Sequence, residues 1–310
     1  MSEGRLGVAV VGSLHYDIMV SAPYLPRQGE TLIGSAWWWK PGGKGGNQAM
    51  AAARHGAATV MIGALGADDF GARLRACLRD AGVGLSNIRD TPGGSGMSVA
   101  LVEGGGDYSA VVVSGANLAI DAAQIEASTR ALQSAKILIL QNEISEAANI
   151  AAARIVRAAG GFVVLNAAPA RPLSPELGQL VQLLIVNAIE AEMLGAPPVM
   201  DLETAAAAAR HLNTPDYTVL VTAGGHGLAG ASSREVVTLA GYPVANAQTH
   251  GAGDTFVGAL AARLAADDTL DLAMRYANAA AALHVGAAEH ARGKITVADV
   301  QHFLADQHTA

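Results

Sequence analysis

Short apolar runs and alanine-rich stretches of helical period alternate along the chain, a pattern that predicts an α/β fold with a mostly parallel central sheet flanked by helices. The runs LGVAVVG, TVMIGAL, KILILQN, FVVLNAA, LLIVNA and YTVLVTAGG are rich in β-branched residues and almost unbroken in apolar character. Strands buried on both faces need that composition. Between them, the spacing of apolar positions predicts helices over 45–55, 69–80, 121–134, 147–159 and 201–212.

Two segments interrupt the alternation. YDIMVSAPYLPRQGETLIGSAWWWK and GMSVALVEGGGDYSAVVVSGAN hold no helix, and the second alternates with period two on both sides of a turn at 104–107. Segments 16–40 and 96–114 therefore read as strands of a small separate sheet. Inserted between βα units, they would project over the carboxyl edge of the main sheet, where open α/β folds bind ligands. The expectation is one α/β domain over 1–310 with a β-sheet lid. All three tryptophans are consecutive there, Trp37, Trp38 and Trp39, so alternation puts a large aromatic on each face of the lid. An ordinary half-buried strand and a lid-to-lid contact in a homodimer both account for this.

Composition narrows the class. Hydrophobic residues make up 51% of 310, ample for a substantial core. A formal net charge of −7 leaves no basic footprint for nucleic acid and no polybasic patch for an anionic membrane, so the expected partner is a small molecule. No apolar run reaches the roughly 18 residues of a membrane span. The N-terminus reads as a first strand rather than a signal peptide, and a single cysteine, Cys77, predicted on a helix as a packing residue, fits a reducing cytoplasmic setting.

Two glycine clusters carry the candidate chemistry. The first, KPGGKGGNQAMAAARHGA, lacks the Ser or Thr that a phosphate-binding P-loop places after its lysine, since Gly45 follows Lys44. In the second, QTHGAGDTFVGALAARLAA, Gly251, Ala252 and Gly253 precede Asp254 and an apolar helix. Main-chain amides converging at a helix start, in the positive end of its dipole, suit a phosphate. Asp254 has a structural role open to it as helix N-cap. It also stands where phosphoryl transfer needs a base, beside amides that would stabilise the moving phosphoryl group. His250, just before them, reads as a solvated loop residue or a phosphate contact.

GGKGGNQA early and GAGDTF late, about 200 residues apart, resemble the signatures of the ribokinase family of sugar kinases, also called the phosphofructokinase-B type. GALGADDFG, GAN, QNE, NAAPAR, VNAIEAE and TAGGHG stand where the family has similar segments, so the resemblance spans essentially the whole chain, and its ribose-phosphorylating members are the nearest likeness. The resemblance implies ATP-dependent transfer of the γ-phosphoryl group to a primary hydroxyl of a pentose, D-ribose to ribose 5-phosphate, with Mg²⁺. It implies that Asp17 fixes the sugar, that the loop of Gly43, Lys44, Gly45, Gly46 and Asn47 holds its hydroxyls, and that Glu143 closes the site. Ser98, Val111 and Val113 would line it from the lid. Asn187 and Glu190 match an N-x-x-E element whose Glu organises Mg²⁺ through water. Thr222, Ala223, Gly224, Gly225, His226 and Gly227 match the loop under the nucleotide, and Asn278 an adenine-side residue. Asp254 would be the base, with the Gly251, Ala252 and Gly253 amides as the anion hole.

The chain departs from the family in two segments. Gln248 stands where the family carries an Asp that helps to hold an activating monovalent cation, and VGAAEHARGKIT brings His290, Arg292 and Lys294 where small residues are usual. Most of these charges read as solvated; the sharper expectation is weak or absent K⁺ activation, with a basic side chain in place of the ion. Kinases of fructose-type sugars, ketodeoxy-sugar acids and nucleosides remain alternatives, as does a sensor without catalysis. A Rossmann dehydrogenase is excluded because VVGSLHYD lacks G-x-G-x-x-G after the first strand.

Overall fold

The computed structural model describes residues 6–103, 108–245 and 249–307. The expected turn at 104–107 and Gln248 fall outside them. In chain order the elements are β1 (Leu6–Val11), β2 (His15–Ser21), β3 (Ala36–Gly42), α1 (Lys44–Arg54), β4 (Thr59–Gly66), α2 (Asp69–Asp80), β5 (Gly84–Thr91), β6 (Gly96–Val102) and β7 (Tyr108–Val113). Then follow α3 (Ala122–Ala127), α4 (Thr129–Ser134), β8 (Ala135–Gln141), α5 (Glu146–Ala158), β9 (Phe162–Asn166), α6 (Pro175–Leu180), β10 (Leu183–Asn187), α7 (Ala188–Met193) and α8 (Leu202–Leu212). The chain continues through β11 (Thr218–Thr222), β12 (Gly227–Ala231), β13 (Val236–Ala240), α9 (Ala252–Ala265), α10 (Leu270–Gly286), α11 (Glu289–Arg292) and α12 (Val297–Gln307).

Nine strands form one sheet in the order β13-β12-β11-β10-β9-β8-β1-β4-β5. All its pairs are parallel except β11 with β12 and β12 with β13. The unbroken apolar runs have a direct cause. In β1, Ala9 and Val11 enter a core covered by α3 to α8, while Val8 and Val10 enter a second core covered by α1, α2, α9, α10 and α12. Every central strand must therefore be apolar on both faces. No helix among the described residues is long and apolar enough to cross a membrane.

Several elements differ from expectation. The helix expected over 121–134 is two, broken at Ser128, where Thr129 Oγ1 bonds back to the Glu126 carbonyl. Strands β5, β12 and β13 were not anticipated. In β12, Gly230 is closely packed, since a Cβ there would stand 2.8 Å from Leu220 Cδ2 and 3.3 Å from Met274 Cε and would push those side-chain ends aside.

The small sheet has the order β3-β2-β6-β7, with β2 and β6 parallel. One face looks over the carboxyl edge of the large sheet and carries Asp17, Met19, Trp38, Lys40, Ser98, Ala100, Ala110 and Val112. On the other face the Tyr16 ring lies between Trp39, 4.6 Å between centroids, and Phe70 of α2, at 4.1 Å, and the Arg73 guanidinium sits over Trp39 at 5.6 Å. Stacked pairs of this kind contribute about 0.5–1.5 kcal/mol each beyond their area, and here they fasten the small sheet to α2. Trp38 and its two neighbours take opposite faces, as alternation requires, and Trp37 is exposed. The phase of β7 corrects an expectation: Val112 faces the cleft, paired with Ser98, whereas Val111 and Val113 face away from it.

Candidate active site

The site forms where polar residues end the apolar strands. Gln141, Asn166, Asn187 and Thr222 are the last residues of β8, β9, β10 and β11, and the pairs Gln141–Asn166 and Asn187–Thr222 are in register. Helices α1 and α9 meet above this edge. Gly251 takes the left-handed conformation, φ 81°, and serves as N-cap of α9, so Asp254 lies in the first turn and does not cap the helix. The structural role open to it in the sequence is thus filled by a glycine.

The Asp254 carboxylate is held from α1 instead. Its Oδ2 accepts from Asn47 Nδ2 at 3.1 Å and its Oδ1 from Gln48 Nε2 at 2.9 Å. Buried Gln48 also donates to Asn166 Oδ1 at 3.0 Å and accepts from Gln141 Nε2 at 2.8 Å. With both donors and its acceptor engaged, Gln48 has one orientation, and so has the carboxylate it holds. Burial pushes the Asp254 carboxyl above the usual aspartate range, against the opposite pull of Lys44 and of the Asn47 and Gln48 amides. A base wants that environment. The Ala252 amide donates to the Thr249 carbonyl at 3.2 Å, which removes it from the expected anion hole. The amides of Gly253 and Asp254 remain in the first turn, at the positive end of the helix.

Asp254 faces a cleft of about 670 Å³ under the small sheet, shared with Asp17, Gly43, Lys44, Asn47, Ser98 and Glu143. Ser98 Oγ donates to Asp17 Oδ1 at 2.6 Å. Glu143 Oε2 accepts the Lys44 amide at 2.9 Å and also bonds Ser13 Oγ, so this carboxylate caps α1 as well as lining the cleft. The glycine cluster divides by role. Gly43 turns with φ 82° at the cleft wall, whereas Gly45 and Gly46 are buried against the β1–β2 connection. The Gly46 amide donates to the Ser13 carbonyl at 2.9 Å, and a Cβ on Gly45 would meet Ser13 N at 2.7 Å. These two glycines bring α1 close to the β1–β2 turn and do not face the cleft, a correction to their expected contact with sugar.

Sequence reasoning missed several residues. Gln48, Gln141 and Asn166 orient the Asp254 carboxylate; for Gln141 and Asn166 the available signal was an amide ending an apolar strand. His15 and Trp38 line the cleft, and their Nε2 and Nε1 atoms are buried without a hydrogen-bond partner. Gly42 was passed over as well. A Cβ there would stand 2.0 Å from Asp17 Oδ2, so only glycine leaves room for that carboxylate.

The second group of expected residues gathers further along the same edge. Asn187 and Glu190 form a reciprocal capping box on α7: Asn187 Oδ1 accepts the Glu190 amide at 2.8 Å and Glu190 Oε2 the Asn187 amide at 2.9 Å. Their spacing is that of a cap and its third helical residue, not of two residues on one helical face. Burial raises the Glu190 carboxyl, Asp254 adds to this, and Lys44 opposes it, so the three share one local field. Thr222 and Ala223 lead into a turn over Gly224–His226, exposed at the edge, while buried Gly227 starts β12 with φ 113°, where a Cβ would meet the Leu239 carbonyl at 2.0 Å. Asn278 of α10 donates to the Ala240 carbonyl at 2.8 Å, placing it beside the end of β13. His250 lies on the exposed cleft wall, and partial desolvation and Lys40 push its ring below the usual histidine range.

Residues 6–294 match the pfkB family of carbohydrate kinases. The chain belongs to that family. It is 33% identical over 283 residues to a ribokinase of Haemophilus influenzae, covering 91% of this chain and 92% of that one. A Mus musculus ribokinase is 34% identical over 275 residues, 87% of this chain and 85% of its own. The structure of an Arabidopsis thaliana ribokinase complexed with ribose and ATP superposes with a TM-score of 0.88 at 29% identity, over 97% of this chain and 99% of that one. The kinase is accordingly a phosphotransferase acting on an alcohol group, with the large parallel sheet and smaller second sheet of its relatives.

Proposed function

We propose that this kinase transfers the γ-phosphoryl group of ATP to the primary hydroxyl of D-ribose, forming ribose 5-phosphate and ADP. The observation that carries the reading is the Asp254 carboxylate, fixed by Asn47 and Gln48 at the start of α9, in one cleft with Asp17, Lys44 and Glu143. The relatives above are ribokinases, and one of them holds ribose and ATP.

In this reading Asp17, Asn47 and Glu143 accept or donate hydrogen bonds to the secondary hydroxyls. That leaves the primary hydroxyl beside Asp254. Its oxygen attacks the γ-phosphorus, its proton passes to a carboxylate oxygen of Asp254, and the bond from the γ-phosphorus to the β,γ-bridging oxygen breaks as ADP leaves. Lys44 and the first-turn amides of α9 offset the charge on the moving group. The small sheet acts as a lid that excludes water. The nucleotide lies along the edge formed by Asn187, the 222–227 turn and Asn278.

A divalent cation fits the donors at Glu190. Its carboxylate offers a hard oxygen ligand in the field it shares with Asp254 and Lys44, and Mg²⁺ prefers few carboxylates with water and phosphate. Held there through water, Mg²⁺ would supply charge balance on the β- and γ-phosphates.

ADP release measured across pentoses, hexoses, ketodeoxy-sugar acids and nucleosides tests the substrate. Ribose is expected to give the highest kcat/KM; a non-pentose preferred by more than about tenfold, some 1.4 kcal/mol in transition-state binding, would replace it. Absence of ADP release with every acceptor would favour a sensor.

The small sheet also supports a homodimer. Trp37, Val111 and Val113 on one face and Val112 on the other are more than half exposed, an apolar surface of the kind that marks a contact. Sedimentation at micromolar concentration should give the mass of two chains, and a single-chain mass contradicts the pairing.

A further inference from the structure

The turn that starts α9 is held by a cationic side chain. Arg292, at the end of α11, donates from Nη1 to the His250 carbonyl at 3.3 Å and from Nε to the Ala287 carbonyl at 3.2 Å. Ala287 is the C-cap of α10, where a helix dipole favours positive charge. The guanidinium thus joins the negative end of α10 to the residue preceding the N-cap of α9. A second donor reaches the same carbonyl: His284 Nε2 lies 3.2 Å from the His250 oxygen, and its Nδ1 lies 3.0 Å from Thr255 Oγ1. A carbonyl can only accept, so Nε2 carries the proton and Nδ1 accepts from the Thr255 hydroxyl. Burial holds His284 neutral, with its pKa pushed down to about 4.

The family resemblance implies a monovalent cation beside this loop. The residues present do not fit one. A metal ion would need the lone pairs of loop carbonyls, and the His250 carbonyl already receives two N–H donors. Nearby cations also act here: Arg292 and Arg54 push His284 toward its neutral form, and Lys40 and Arg292 do so at His250, where Asp17 and Glu289 oppose them. Arg292 additionally lines the cleft.

We propose that the Arg292 guanidinium is a built-in cation that holds the His250–Gly251 turn, so that the first-turn amides of α9 are positioned for phosphoryl transfer without a monovalent metal ion. Arg292 is then a positioning residue, acting through the His250 carbonyl. The inference rests on the kinase reading for its catalytic consequence but not for its structural one.

The experiment compares KCl with choline chloride at constant ionic strength, reading ribose-dependent ADP release and, separately, the Tm of the full chain. The native kinase should turn over within about twofold in the two salts, with no shift in Tm. Arg292→Ala should lose about 10–100-fold in choline chloride, the scale of an ångström-sized misplacement, and regain most of it with KCl or millimolar guanidinium. Its Tm should rise with KCl, because an ion that binds only the folded state stabilises it. Arg292→Lys, which keeps the charge but not both bonds, should fall between the two. Stimulation of the native kinase by K⁺ of more than about fivefold, a clear margin over the twofold expected, or a K⁺-dependent rise in its Tm, would overturn the proposal. So would an Arg292→Ala variant indistinguishable from native in choline chloride. If Arg292→Ala does not fold, Arg292→Lys and the native salt comparison decide. If the native chain shows no turnover with ribose in either salt, the substrate reading fails while the Tm comparison still judges the cation.

Discussion

Replacing Asp254 by Asn should lower kcat by about 10³–10⁴-fold while leaving the KM for ATP within about threefold, since a general base acts on the chemical step and not on nucleotide binding. Asparagine keeps the volume but cannot take the proton. One feature of the site complicates that variant, because both carboxylate oxygens accept from donors, Asn47 Nδ2 and Gln48 Nε2, and an asparagine must turn its own NH₂ toward one of them. Asp254→Ala avoids this clash and should show a loss of the same order. The pH profile gives an independent reading. Burial raises the carboxyl of the free enzyme, and the ionised form is the active one, so native kcat/KM should fall as pH drops through a value above the ordinary aspartate range. Both variants should lose that acid limb. A variant within tenfold of native, about 1.4 kcal/mol, would remove Asp254 from the base role.

Asp17→Ala should raise the KM for ribose by about 10²-fold, the loss expected for a charge-assisted hydrogen bond to a sugar hydroxyl, and leave the KM for ATP unchanged. The split follows from placement: Asp17 lines the cleft under the small sheet, whereas Asn187 and the 222–227 turn are not among the residues lining it. Gly42→Ala offers a second route to the same outcome, because its Cβ would stand 2.0 Å from Asp17 Oδ2 and must push the carboxylate aside. Steady-state kinetics with each substrate varied in turn checks both variants. Equal loss for ribose and ATP would mean that the lid had collapsed as a whole.

The sequence was most legible where burial is two-sided. Strands such as β1 and β8 feed both cores at once, so their apolar runs have no other reading, and the bounds of α2 were also met at Asp69 and Asp80. Strand β5 was invisible because Asn87, Arg89 and Asp90 interrupt an edge strand that needs only one neighbour, β4. The phase of β7 could not be read because Ala110, Val111, Val112 and Val113 are apolar on both faces; only pairing with Ser98 sets it. At the site, the two glycine clusters and Asp254 were recognisable, but their separate duties were not. Whether Asp254 caps α9 depends on Gly251 turning left-handed, and whether Gly45 meets sugar depends on how close Ser13 passes. The amide chain through Gln48 joins residues more than a hundred positions apart, a relation that local pattern does not carry.

The central claim is geometric: one cleft brings the sugar's primary hydroxyl to a carboxylate at the start of α9. A crystal structure of the kinase with ribose and a non-hydrolysable ATP analogue measures it directly. The primary oxygen of ribose should lie within about 2.6–3.2 Å of an Asp254 oxygen, in line with the γ-phosphorus. A primary oxygen more than about 5 Å away, with another side chain in hydrogen-bond reach of it, would contradict the account.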